Sequence, residues 1–288
     1  MRRTPCGSCK KATATVSTPP PESEKGILHP REQARHRSLN RLAAGTEVGR
    51  FVEWYWIVEW DLDEPYTAEV LPFPSVNITF EQPGGAFVNG VCTRKFEREL
   101  VGRGRAFGVK FWAGGFGAVT GLDVASFRDE VLPLTAVFPD GERLADLMFA
   151  EESDVRRRAV FEAFLRDHLA PPDPSYELVR EIVTAMSADR SVARVDQITE
   201  RFNVPIRTLQ RLFRRYVGVG PKWVLRRYRL HDGAELLAQG EVVELAELSA
   251  SLGYFDQAHF SKEFKQQIGL TPAEYATRAA AERQITYR

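Results

Sequence analysis

The chain has 288 residues, room for two domains of ordinary size, and is 43% hydrophobic and 27% charged, as globular proteins are. Lys+Arg and Asp+Glu both number 39, so the total charge excludes no partner and only its distribution is informative. No apolar run approaches the ~18 residues of a membrane helix. Arg2 and Arg3 have no apolar segment behind them, so residues 1–26 do not read as a signal peptide; a cytoplasmic chain with no membrane partner is expected.

Residues 1–45 are rich in Pro, Ser, Thr and Lys up to Gly26 and charged beyond it, which predicts a mostly disordered tail. Cys6 and Cys9 form a lone CxxC there, with only His29 and His36 nearby. A zinc site needs about four ligands, so no metal and no cofactor are expected. From Phe51 the pattern alternates. FVEWYWIVEW puts Val52, Trp54, Trp56, Val58 and Trp60 on one face and Glu53 and Glu59 on the other, predicting a strand whose tryptophan face is buried. SVNITFEQ repeats this with Val76, Ile78 and Phe80, and RAFGVKFW with Phe107, Val109 and Phe111. Glycine turns separate the runs, so a small β-barrel or sandwich is expected over about 50–125. Asp61, Asp63 and Glu64 read as a solvated turn where the strand ends, and Cys92 as a small core residue. No catalytic constellation stands out, and an enzyme is not expected.

The period then becomes helical. Two helices are expected over 141–169, with Leu144, Leu147 and Met148 in the first and Val160, Phe164 and Leu165 in the second. They are a candidate dimer surface. APPDPS (170–175) holds three prolines and reads as a domain boundary. The expected fold is α+β. A tail (1–45) precedes a β-rich domain with helical connector (46–170). A Pro-rich linker (171–176), an all-helical domain (177–280) and a short tail (281–288) follow.

The helical part contains an internal repeat. At a shift of 51, LQRLFRRYVGVGP (209–221) lies over FSKEFKQQIGLTP (260–272); upstream, at a shift of 50, Val195, Ile198 and Phe202 lie over Leu245, Leu248 and Leu252. The unit is a short helix, a tight turn and a second helix, with one more residue in the second turn. Asn203 and Gly253 suit a left-handed helix end, Pro205 a first helical turn, and Asp256 an N-cap. Each copy is therefore a helix-turn-helix. Arg207, Gln210, Arg211 and Arg214 share one helix face, opposite Leu209, Leu212, Phe213 and Tyr216. Residues 201–229 hold nine Arg and Lys and no acid. A solvated basic face is the plain reading of one such helix, but two copies in the same context point to double-stranded DNA. Arg207, Gln210 and Arg211 suit base edges, as do Gln257, His259, Ser261 and Lys262 in the second copy. Arg214, Arg215, Lys222, Arg226 and Lys265 suit phosphates. From Pro221 to Leu237 one helix of ~25 Å would separate the readers. That is near the ~34 Å of one DNA turn, so one chain would read successive major grooves of an asymmetric site.

These runs resemble the AraC/XylS transcriptional regulators over the C-terminal ~105 residues: PIRTLQRLF (205–213), GVGPKWVLRRYRL (218–230), AELL (234–237), LGYFDQAHFSKEF (252–264) and GLTPAEY (269–275). The resemblance implies a bipartite DNA-binding domain, base contacts from Arg207, Gln210, Arg211, Gln257, His259 and Lys262, and RNA polymerase as a partner. Gly233 departs from good helix propensity inside the spacer and would let that helix pack closely or bend. The N-terminal half is similar, through FVEWYWIVEWDL and FGVKFWAGGF, to divergent cupin-like sensor domains of such regulators. That implies a small-molecule effector or a partner subunit. Trp54, Trp56, Trp60, Phe111 and Trp112 are the candidate pocket residues, with plain core packing as the alternative for each. A β-domain that binds only protein stays open. A DNA alkyl-repair enzyme would need a multi-cysteine zinc thiolate site, for which Cys6, Cys9 and Cys92 are too few.

Overall fold

The computed structural model describes residues 24–169, 171–240 and 244–285; Cys6, Cys9 and residues 286–288 lie outside them. α1 (Pro30–Gln33) and β1 (Ser38–Ala43) precede β2 (Val52–Val70), β3 (Asn77–Gln82), β4 (Gly85–Asn89) and β5 (Phe96–Phe111). Then come α2 (Gly115–Thr120), β6 (Val131–Pro133), α3 (Gly141–Ala150) and α4 (Asp154–Asp167). The rest is helical: α5 (Pro174–Ala188), α6 (Val195–Arg201), α7 (Ile206–Leu212), α8 (Pro221–Gln239), α9 (Leu245–Ser251), α10 (Gln257–Ile268) and α11 (Pro272–Ile285). The six strands form one antiparallel sheet in the order β1-β2-β5-β3-β4-β6. A β-rich half followed by an all-helical half is the α+β arrangement that the change of period requires.

The sheet buries the face opposite to the tryptophans. Tyr55 and Ile57 pair with Val109 and Phe107, which pair in turn with Ile78 and Phe80, and all six are buried. Phe161 of α4 closes this face edge-on to Tyr55 and Phe80. The cause of the reversal is a bulge between Val52 and Trp54, because one extra residue exchanges the faces of everything after it. Trp54, Trp56 and Trp60 are half-buried on the outer face, opposite Lys110, Gly108 and Gly104. The glycines make room for the indoles: a Cβ on Gly108 would lie 1.9 Å from Trp56 Cε2, and one on Gly104 2.2 Å from Trp60 Cζ2. β2 also continues through Asp61, Asp63 and Glu64, which are exposed beside a second irregularity between Leu62 and Tyr66 rather than in a turn. Cys92 is half-buried in the β4–β5 loop, its Sγ on the Arg94 carbonyl (3.4 Å), not in the core.

Residues 24–45 are ordered, contrary to the expected tail. β1 pairs with β2 throughout. Leu28, His29 and Gln33 are buried, and Gln33 Nε2 donates to the carbonyls of Leu28 (2.7 Å) and Glu69 (2.6 Å). Polar side chains here satisfy partners far along the chain, which composition does not register.

The proline stretch is no separator either. Pro174 opens α5, where its missing N–H costs nothing, and the Asp173 carboxylate accepts from the Ser175 N–H (2.9 Å). Tyr176 is buried against Phe51, ring centroids 5.5 Å apart, and its hydroxyl donates to the Arg50 carbonyl. One apolar core therefore runs from Tyr55 and Phe107 through Tyr176 and Ile182 to Leu209, Phe213 and Leu225. A second core gathers Leu28, Leu71, Leu230, Leu237, Leu252, Phe260, Phe264 and Tyr275. α11 runs past residue 281 to Ile285, and Glu282 is buried where a tail was expected.

Candidate nucleic-acid interface

α6 and α7 form the first helix-turn-helix unit and α9 and α10 the second. Asn203 (φ 49°) and Gly253 (φ 71°) take the left-handed conformation in the two turns. The Asp256 carboxylate caps α10 by accepting from the His259 N–H (2.7 Å). α7 runs on into a π-helical turn over Phe213–Val217.

On α7 the side chains separate by face. Leu209, Leu212, Phe213 and Tyr216 are buried, whereas Arg207, Gln210, Arg211, Arg214 and Arg215 are exposed. Among the described residues none of these four arginines lies within 4 Å of a carboxylate oxygen. On α10, Phe260, Phe264 and Ile268 are buried; Gln257, His259, Lys262 and Lys265 are exposed, and Ser261 is half-buried. Lys222 is exposed on the first turn of α8. The two basic faces are thus free for a polyanion.

The remaining arginines of the basic block have other work. Arg226 is half-buried, 3.4 Å from Glu263, which also lies 3.8 Å from His259. Arg227 is buried against the Trp223 ring (4.5 Å) and donates to the Thr93 carbonyl (2.7 Å) and to Gln267 (3.1 Å). Burial pulls its pKa down to about 10. Arg229 donates to the Gly253 carbonyl (3.4 Å). Arg227 and Arg229 therefore tie α8 to the β4–β5 loop and to the turn of unit two. The sequence shows nothing that sets them apart from the exposed arginines.

The 19 residues of α8 span ~28 Å. Gly233 serves close packing: a Cβ there would lie 3.1 Å from Leu252 Cδ1 and 3.3 Å from the Phe260 ring.

The aromatic residues of the N-terminal half divide. Trp54 and Trp112 line a cavity of about 250 Å³ with Lys25, Arg41, Glu53, Phe73, Arg180 and Tyr228, between the sheet, α5 and α8. Trp60 lines a different groove, with Glu59, Asp61, Gln82, Arg103 and Arg105. Trp56 donates to Asn77 Oδ1 (3.2 Å). Phe111 is core, edge-on to Phe116 at 5.3 Å. The sequence gives no sign of a buried lysine that contacts three of these lining residues, Glu53, Trp54 and Phe73. Lys110 is 5% exposed, 2.6 Å from Glu53, with Nζ 3.7 Å from the centroid of Trp54 and 3.8 Å from that of Phe73. Burial lowers the pKa of Lys110 and raises that of Glu53, and their mutual contact opposes both shifts. Elsewhere, ligand atoms of His29, Glu32 and Glu282 lie within 4.8 Å of one another, but Arg278 already lies 2.7 Å from Glu32 and 3.9 Å from Glu282 and supplies the local positive charge. Among the described residues no helix is long and apolar enough to cross a membrane.

Two helix-turn-helix units on one spacer helix, each turning a basic face outward, define a bipartite DNA-binding domain. Comparison with known proteins agrees. Residues 198–278 match the family described as "Helix-turn-helix domain", and residues 40–133 match "Domain of unknown function (DUF6597)". The chain carries an AraC-type helix-turn-helix DNA-binding domain behind that N-terminal domain. It is 32% identical over 81 residues to an uncharacterised HTH-type transcriptional regulator of Haemophilus influenzae, covering 28% of this chain and 27% of the relative. It is 25% identical over 138 residues to the HTH-type transcriptional activator RhaR of Escherichia coli, covering 48% of this chain and 47% of the relative. The matches thus span half or less of the length of these relatives. Among solved structures, an AraC-type regulator from Chromobacterium violaceum aligns at 27% identity and TM-score 0.34, over 37% of this chain and 95% of that one. ToxT from Vibrio cholerae aligns at 13% identity and TM-score 0.38, over 84% of this chain and 98% of that one.

Proposed function

We propose that the protein is a sequence-specific transcriptional regulator that lays α7 and α10 into successive major grooves on one side of a duplex. The observation that carries this is the outward, unpaired arginine face of α7, repeated in basic form on α10. Arg207, Gln210 and Arg211 read bases in one groove; Gln257, His259, Ser261 and Lys262 read them in the next. Arg214, Arg215, Lys222 and Lys265 neutralise phosphates. Arg226 joins them only by leaving Glu263. RNA polymerase and a second copy of the chain complete the expected partners.

A small effector would act through the cavity lined by Trp54 and Trp112. Its walls come from β2 (Glu53, Trp54), α5 (Arg180, Val183, Thr184) and α8 (Tyr228). A ligand there touches both halves at once, so its affinity depends on how they are packed, which is what control of DNA binding requires.

The test is Arg211→Ala. It should cost roughly 1–3 kcal/mol of DNA affinity and relax base preference at one position of the site. Unchanged preference at every position would remove Arg211 as a base reader.

A further inference from the structure

Phe255 is 94% exposed, in the turn between α9 and α10. Its neighbours are engaged: Tyr254 is buried with its ring 5.1 Å from Phe260, and Asp256 caps α10. Nothing in the packing of the turn requires a phenyl group at this position, and exposing one to water is unfavourable. Gly253 and the Asp256 cap fix the path of the turn on either side, so the ring projects from a defined place at the head of the recognition helix. Residues at that end of such a helix meet base edges, and exposed Gln257 and His259 follow directly. In unit one the exposed apolar residue nearest that end is Ile206, 45% exposed as the first residue of α7, where the repeat places Gln257 in α10; Phe255 occupies the extra residue of the second turn.

The base edges of the major groove offer one apolar group, the thymine C5-methyl. We infer that Phe255 is a specificity residue that packs on a thymine methyl at the edge of the site read by unit two. This rests on the reading of the C-terminal half as a DNA reader. Continuity with the basic face of α10 favours DNA as its partner over another protein.

The experiment uses the full chain and a site selected from random duplex DNA. Thymines in that site are replaced one at a time by deoxyuridine, which lacks only the methyl group. Affinities are then measured for the wild type and for Phe255→Ala, with Ile206→Ala as a second variant. One replacement in the part of the site read by unit two should weaken wild-type binding about fourfold, the effect of one buried methyl group. Phe255→Ala should weaken binding to the thymine site, lose that discrimination and keep the wild-type melting temperature; Ile206→Ala should retain it. A wild type indifferent to every replacement, or a Phe255→Ala protein that still discriminates, overturns the inference while leaving DNA recognition intact. Failure to enrich any site overturns the DNA reading itself, and this inference with it.

Discussion

Unit one buries Ile198, Leu209 and Phe213 in the same core as Tyr55 and Phe107 of the sheet. Unit two buries Leu248, Leu252, Phe260 and Phe264 in a second core, where the N-terminal half supplies Leu28 and Leu71. Two copies of one supersecondary plan are thus mounted differently. The first shares the stability of the sheet; the second is held by α8, α11 and a short N-terminal segment. The N-terminal half touches both, so it helps to set the angle between the two readers.

The sharpest way to break this comparison is to open a cavity in each core. Phe213 and Phe264 are both fully buried, and Phe→Ala at either should cost about 3–5 kcal/mol. In calorimetry, Phe213→Ala should lower the main transition, because the sheet core melts with unit one. Phe264→Ala should instead release an early, separate transition. A single lowered transition in both would mean that the cores are one cooperative unit.

The junction itself is next. Lys110→Met leaves the Glu53 carboxylate in a buried site without its partner, which should cost about 3–5 kcal/mol. Adding Glu53→Gln should recover most of it, measured by urea unfolding. Loss of the same size in the double variant would show that the lysine contributes shape and not charge.

A smaller effect comes from pH. Burial, and then Arg227, Lys25 and Lys110, hold the pKa of His231 well below the ordinary histidine value, so it stays neutral when folded. Unfolded histidine takes up a proton below about pH 6.5. The stability linked to His231 is therefore fully present above that pH and lost as pH falls through it. Between pH 7.5 and 5.5 the loss from this residue is about 1.4 kcal/mol. His29 is shifted in the same direction, by burial first and Arg278 next. Stability that is flat over this range would contradict a neutral buried His231. Smallest is Lys265→Ala, which should weaken binding evenly across DNA sequences and reduce the salt slope by about one.

Much of the architecture of the two units is legible in the sequence because turns impose chemistry. A left-handed helix end selects Asn203 and Gly253, and an N-cap selects Asp256, so the repeat shows through divergent side chains. The buried face of the sheet is not legible, for a reason equally local. Alternation is counted residue by residue, and the extra residue before Trp54 leaves no mark in the pattern of apolar and polar side chains. The segment around Leu28 and His29 hides its order because its partners lie elsewhere: Glu69 for Leu28 and Gln33, and Glu282 for His29. Pro174 reads as an interruption, although a proline breaks a helix interior and favours a helix start equally. The buried lysine escapes notice because a strand lysine ordinarily faces water, and only tertiary packing sets Lys110 between two aromatic rings.

The central claim is that two unlike readers on one chain act together on DNA. Selection of bound duplexes from a random pool, read by sequencing, tests it most directly. The account predicts an asymmetric site with two enriched blocks, their centres about one helical turn, ~10 base pairs, apart. One block alone, or no enriched sequence, would contradict it.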